Sequence, residues 1–202
     1  MADGTSPQTA GDEATPRDGP VRILFERVAA AGPDLRRIGS ALLELAADLD
    51  CLMPWVARLG DRSAAIAIHA PARGPRLMLA HRRPGQMSAT HDHGTWVAIT
   101  PVTGVETHRT YRVIGPAGAA RLELADDRSL AGGNVATLLP PNDVHEHGHL
   151  VGAGEPAYVL VLSGDDQSRL TRTEWDLATG RQRILRPGQG GRWLASEPMP
   201  ID

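Results

Sequence analysis

Lysine is absent from this chain of 202 residues, so its positive side chains are all arginines, and 21 cations face 24 acids for a net charge of −3. With no basic stripe and 3% aromatic residues, it offers neither the phosphate contacts nor the stacking platforms of a nucleic-acid binder. Cysteine occurs once, at Cys51, which excludes an internal disulfide framework or a cysteine-built zinc cluster and fits a reducing compartment. No apolar run approaches the ~18 residues of a membrane span, and the first residues lack the charged start and apolar stretch of a signal peptide. The expectation is a cytoplasmic protein without membrane or nucleic-acid partners. Its 41% apolar content suffices for one compact domain, monomeric or a homodimer.

What is present changes along the chain. Residues 1–20 combine Gly, Pro, Ser, Thr and four acids with almost nothing to bury, so they read as a disordered tail. From Val21 the apolar residues take a helical period: Ile23, Leu24, Val28 and Ala31 share a face until Gly32-Pro33 ends the segment. Asp34 can cap a second helix through Ile38, Leu42, Leu45, Leu49 and Leu52, interrupted by Pro54 and followed by a turn around Trp55 to Leu59. After Ser63 about eight short β-rich stretches alternate with Gly, Pro, Asn and Asp turns, and RTEWDLATGRQRIL reads as a late hairpin. The expected plan is a helical segment over 21–60, a β-barrel or sandwich over 61–185 and a C-terminal extension over 186–202.

Five of the eight histidines fall in two windows, THDHGTW (His91, His93) and DVHEHGH (His145, His147, His149). In a strand, residues two apart emerge on one face, so His91 and His93 can present two imidazoles to one point. Imidazole is a ligand for Fe, Zn, Cu or Ni, and a third ligand must come from another strand. Gly85 precedes His91 by six residues, giving G-x5-H-x-H, and Gly104 follows where a hairpin is expected to close. These residues resemble the first motif of the cupin superfamily. Pro140-Pro141-Asn142-Asp143-Val144-His145 resembles its second motif, with Asn142 for glycine, a replacement that tolerates a left-handed turn. The expected fold is therefore mainly β, a cupin double-stranded β-helix (a jelly-roll-like barrel) preceded by two or three N-terminal α-helices. The expected metal ligands are His91, His93 and His145; His147 and His149 are left as supporting or rim residues, and His69, His81 and His108 as ordinary strand histidines.

Many metal cupins place a glutamate four or five residues after the second histidine, where this chain has Val97 and Ala98. The stretch PGQMSATHDHGTWVAITPVTGVE is similar to the bacterial cysteine dioxygenase group of thiol dioxygenases, with Glu106 at the last acid of that pattern, and the resemblance covers roughly residues 21–165. It implies an Fe(II) centre on three histidines that oxidises a small thiol, such as a cysteine- or mercaptopropionate-like acid, with O2 to a sulfinate. It further implies a pocket wall at Trp96 and a carboxylate-binding arginine among Arg58, Arg62 and Arg76.

This chain also departs from that group. The serine, histidine and tyrosine of the group's late strand are replaced by Val159, Val161 and Ser163, and no cysteine lies where a thioether cross-link forms. Tyr158 is expected on the opposite face, as packing. Two other readings stay open: another metal-dependent cupin enzyme, either a non-thiol oxygenase or an isomerase, and a cupin that binds metal or ligand without turnover.

Overall fold

The computed structural model of the chain describes residues 18–61, 64–115, 120–150, 154–179 and 181–187. The expected tail up to residue 17, Arg62, and the extension from residue 188 lie outside the described residues. Among the described residues three helices precede the strands: α1 (Asp18–Ala31), α2 (Leu35–Ala46) and α3 (Leu49–Leu59). Residues 18–20, expected in the tail, belong to α1, whose buried stripe is Val21, Leu24 and Val28, while Ile23 faces outward.

Asp34 caps α2 as its sequence position implies, its carboxylate accepting from the backbone N–H groups of Arg36 and Arg37. The second helix does not run on to Leu52. It stops at Ala46, and Asp48 starts a new helix by accepting from the Cys51 N–H. Helix α3 then passes through Pro54, an exposed residue, and takes in Trp55 to Leu59, where a turn was expected. Capping by a second aspartate outweighs the one hydrogen bond that Pro54 removes.

The strands are β1 (Ala65–His69), β2 (Arg76–Arg82), β3 (Gln86–Met87), β4 (Thr90–His91), β5 (Val97–Thr103), β6 (Val105–Ile114), β7 (Arg121–Ala131), β8 (Ala136–Leu138), β9 (His145–His149), β10 (Ala157–Ser163), β11 (Arg172–Trp175) and β12 (Gln182–Leu185). One antiparallel sheet has the order β1-β2-β10-β5-β8; the other runs β12-β11-β4-β9-β6-β7, with β3 paired to β9. From β4 to β11 the chain changes sheet at every connection except β6 to β7. Two facing sheets threaded in this way form the double-stranded β-helix of cupins. Gly104, at φ 72°, is accordingly a corner between sheets rather than the hairpin turn expected. A Cβ there would lie 2.8 Å from Ala157 Cα and from the Pro156 carbonyl, so the corner needs glycine.

The centre of the first sheet is buried on both faces, which explains the nearly continuous apolar run of β10. Leu77, Leu79, Ala98, Leu160 and Leu162 turn outward and pack with Leu24, Ile38, Leu42, Leu52 and Leu59 of the helices. Val97, Ile99, Ala157 and Val159 turn inward. Tyr158 follows the outward set as expected, with its hydroxyl donating to the Gly60 carbonyl and its ring stacked on His81. No helix among the described residues is long and apolar enough to cross a membrane.

Candidate metal centre and cavity

His91 ends β4 directly opposite His145, the first residue of β9. His93 lies beyond β4 in a loop, so strand alternation is not what aims it. Its backbone N–H donates to Asp143 Oδ2 at 2.8 Å, and Asp92 Oδ1 accepts from the Thr173 N–H, so the acids on either side of the loop fix its course. Asp143 belongs to the second motif, which thereby supplies both a histidine and the clamp for another. Asn142 does not adopt the left-handed conformation invoked for it; among the described residues positive φ is confined to glycines.

His145 Nε2 lies 3.3 Å from His91 Nε2 and 3.1 Å from His93 Nε2, and all three rings are buried. The other nitrogens of the three rings each face a polar neighbour. His91 Nδ1 is 2.7 Å from the Ala89 carbonyl, so it is the N–H that donates there and its Nε2 carries a lone pair. His93 Nδ1 faces the Asp143 carboxylate at 3.7 Å, and His145 Nδ1 is 2.8 Å from His108 Nε2. With each Nδ1 turned to such a neighbour, the three Nε2 atoms are aimed at one point, where a cation can take their lone pairs. For metal–nitrogen bonds of ~2.0–2.1 Å, ligand nitrogens stand about 2.9 Å apart at a right angle and about 3.4 Å apart at the tetrahedral angle. The donor set fits a divalent transition metal, and these three residues form a group whose ligand atoms lie within 4.8 Å of one another. Burial, followed by repulsion from the neighbouring histidines, pushes the His91 and His145 pKa values well down, which keeps them in the neutral, ligating form.

A second polar layer supports the first. His108, on β6 opposite His147, lies against His145, and burial takes its pKa down to about 3, so it stays neutral. His147 stacks on His145 with ring centroids 4.7 Å apart, and its Nδ1 is 2.7 Å from Glu106 Oε1. Arg82 Nε lies 3.6 Å from the same oxygen. Burial raises the Glu106 pKa to about 7 despite the opposing pull of Arg82. For Asp143 burial also pushes upward, but the bonds from His93 outweigh it and the pKa ends below its usual value. His149, also buried, faces the carbonyls of Leu150 and Glu155 and ties the end of β9 to the following loop.

His91, His93 and His147 open onto a cavity of about 250 Å³. Its middle is apolar, from Met78, Ala80, Ile99 and Val161, and Arg82 lies at its wall. Arg76, Ser163 and Asp166 also line it, and Arg76 is ion-paired with Asp166. The structure thus brings together His91, His93, His145 and, one layer back, Glu106. It does not bring Trp96, which packs with the outward-facing core against the helices; the parity of β5 sends Ile99 inward and the even-numbered residues out. Arg58 is exposed on α3, its guanidinium over the Trp55 ring at 5.6 Å, and so does not reach the cavity. Arg76 does reach it, as does Arg82, which the sequence reading passed over although it shares the alternation of Arg76, Met78 and Ala80 on β2. His108 was likewise missed, because its role depends on strand register.

No protein-family model matches the chain, and no curated protein matches it. Among solved structures, a cupin-2 domain protein from Shewanella frigidimarina is similar over 56% of this chain and 91% of its own, with 9% identity and a TM-score of 0.41. An RmlC-like cupin with a double-stranded β-helix fold from Methanocaldococcus jannaschii is similar over 53% and 85%, with 10% identity and a TM-score of 0.37. The hydroquinone 1,2-dioxygenase PnpCD is similar over 56% and 71%, with 9% identity and a TM-score of 0.44.

Proposed function

We propose that the chain is an Fe(II)-dependent thiol dioxygenase that converts a small thiol, cysteine- or mercaptopropionate-like, to its sulfinate. The overall change is RSH + O2 → RSO2H, with both oxygen atoms transferred to sulfur. The observation that carries this reading is the three-histidine set at the wall of a small cavity, with no carboxylate in the set among the described residues. Such a set would leave a bound ion its full charge, which suits an anionic thiolate as substrate. The HDHGTW context supports the choice of iron and thiol. Bound there, iron(II) supplies the redox chemistry. The chain's own residues do the rest: His91, His93 and His145 hold the ion, His108 and Asp143 orient two of those rings, and the apolar lining excludes water. At about 250 Å³ the cavity lies below the ~300–1,000 Å³ of sites for drug-sized ligands, which favours a small substrate.

A second reading, a non-thiol oxygenase or isomerase on the same metal, is favoured by one observation. The β10 positions Val159 and Val161, where the thiol dioxygenases carry polar groups, are apolar, with Val161 on the cavity wall and Val159 in the inward core. Anaerobic reconstitution with Fe(II), followed by oxygen-uptake assays over a panel of thiols, separates the two. The thiol reading predicts thiol-dependent uptake and a product heavier by two oxygen atoms. Fully iron-loaded protein without such uptake would leave the second reading in its place.

A further inference from the structure

Of the β10 residues that line the cavity, Val161 is apolar and the Ser163 hydroxyl donates to the Asp165 carbonyl. Polar groups next to the triad come instead from the opposite sheet and from β2. His147 lines the cavity, stacks on His145, and lies outside the converging set of three, so it flanks the metal point without belonging to it. Its Nδ1 is 2.7 Å from Glu106 Oε1, and Arg82 approaches that same oxygen at 3.6 Å. Arg82 Nε carries its hydrogen in every state and faces Oε1, so that oxygen is the acceptor of the pair, His147 Nδ1 is the donor and Nε2 is left with a lone pair. The backbone fixes the ring as well: the His147 N–H donates to Ser88 Oγ, and its carbonyl accepts from the Ser88 N–H at 2.8 Å.

We propose that His147, held by Glu106, is a substrate-positioning residue whose Nε2 accepts a hydrogen bond from an amino or hydroxyl group of a small ligand bound beside His91, His93 and His145. The ligand class is a small thiol with a hydrogen-bond donor about two carbons from sulfur, an aminothiol rather than a plain alkanethiol. The choice of a thiol rests on the proposed function above, whereas the geometry of His147 does not. Glu106 contributes from one layer back, by fixing the ring, and does not touch the ligand.

Two measurements test this. On zinc-loaded protein, nitrogen-resolved NMR of the imidazoles should find His147 in the Nδ1–H form, and Glu106→Leu should release that preference. An Nε2–H ring in the wild type overturns the proposal whatever the substrate is. On anaerobic cobalt(II)-loaded protein, the thiolate absorption band is titrated with cysteamine and with 1-propanethiol, which has the same length but a methyl in place of the amine. The readout is the affinity ratio, so changes common to both thiols cancel. A hydrogen bond to a charged donor corresponds to about 10-fold or more in affinity. His147→Leu should lower the ratio by about that factor, and His147→Gln, which keeps an acceptor, should restore part of it. An unchanged ratio in His147→Leu overturns the proposal. If neither thiol gives a thiolate band, the thiol reading fails, and the tautomer measurement alone decides the role of His147.

Discussion

The two sheets share one barrel and divide its work. In the sheet carrying β10 and β5 those two central strands are mainly apolar on both faces, with Leu160 and Leu162 outward toward the helices and Val159 and Ile99 inward. The sheet carrying β4, β6 and β9 turns His91, Glu106, His108, His145 and His147 into the same interior. Each buried polar group on that wall is costly alone and acceptable as part of a network, so the wall is organised by mutual hydrogen bonding where its partner is organised by packing. Damage to one wall should therefore read out as lost ligand chemistry, and damage to the other as lost stability.

The sharpest break is expected at the ligands. Alanine at His91, His93 or His145 should each abolish stoichiometric metal in elemental analysis while leaving the circular dichroism of the strands in place. Metal that persisted in His145→Ala and vanished in His147→Ala would overturn the ligand assignment. Next in size is the acid response of the metal-stripped protein. His91, His108, His145 and His147 all have pKa values lowered by burial, so below about 6.5 the unfolded chain binds protons that the folded chain refuses. Stability then falls as pH drops. Glu106 acts in the opposite sense, since its pKa rises from 4.5 to about 7 and the folded chain takes up its proton first. Denaturant midpoints should thus be lower at pH 5 than at pH 7, and Glu106→Gln should make the fall steeper.

On the packing wall, Leu160→Ala should cost ~2–5 kcal/mol in denaturant unfolding, because Leu160 is fully buried between sheet and helices. Metal stoichiometry in the cold should survive that change. His108→Leu removes the partner of His145 and should weaken metal affinity ~10–100-fold without removing a ligand, as measured by chelator competition. The smallest effect is far from both walls: Asp34→Ala should cost about 1 kcal/mol through the lost α2 cap.

Sequence and structure agree where the determinants are local. His91, His93 and His145 stand in motifs whose turns are written in neighbouring residues, Asp34 is a cap legible from its position, and the alternation of β10 correctly turns Tyr158 outward. What escaped depends on register between distant strands. His108 matters because β6 pairs with β9 so as to set it opposite His147, and Arg82 because β2 runs beside β10. The resemblance implies a pocket wall at Trp96, but the loop between β4 and β5 resets the parity, and β5 sends it to the helices. In sequence Pro54 reads as a helix stop because its effect is local, whereas the break is at Asp48, where a new cap competes.

The single cysteine of the chain, Cys51, lies fully buried in α3 within the cluster between the helices and the outer face of the first sheet. The protein's own thiol is separated from the cavity by the thickness of a sheet, so a thiol entering the cavity meets no internal competitor there. The same seclusion gives the molecule a built-in clock: a thiol reagent can modify Cys51 only when helices and sheet part. The rate of that labelling measures the opening of the packing wall, with the ligand wall left unprobed.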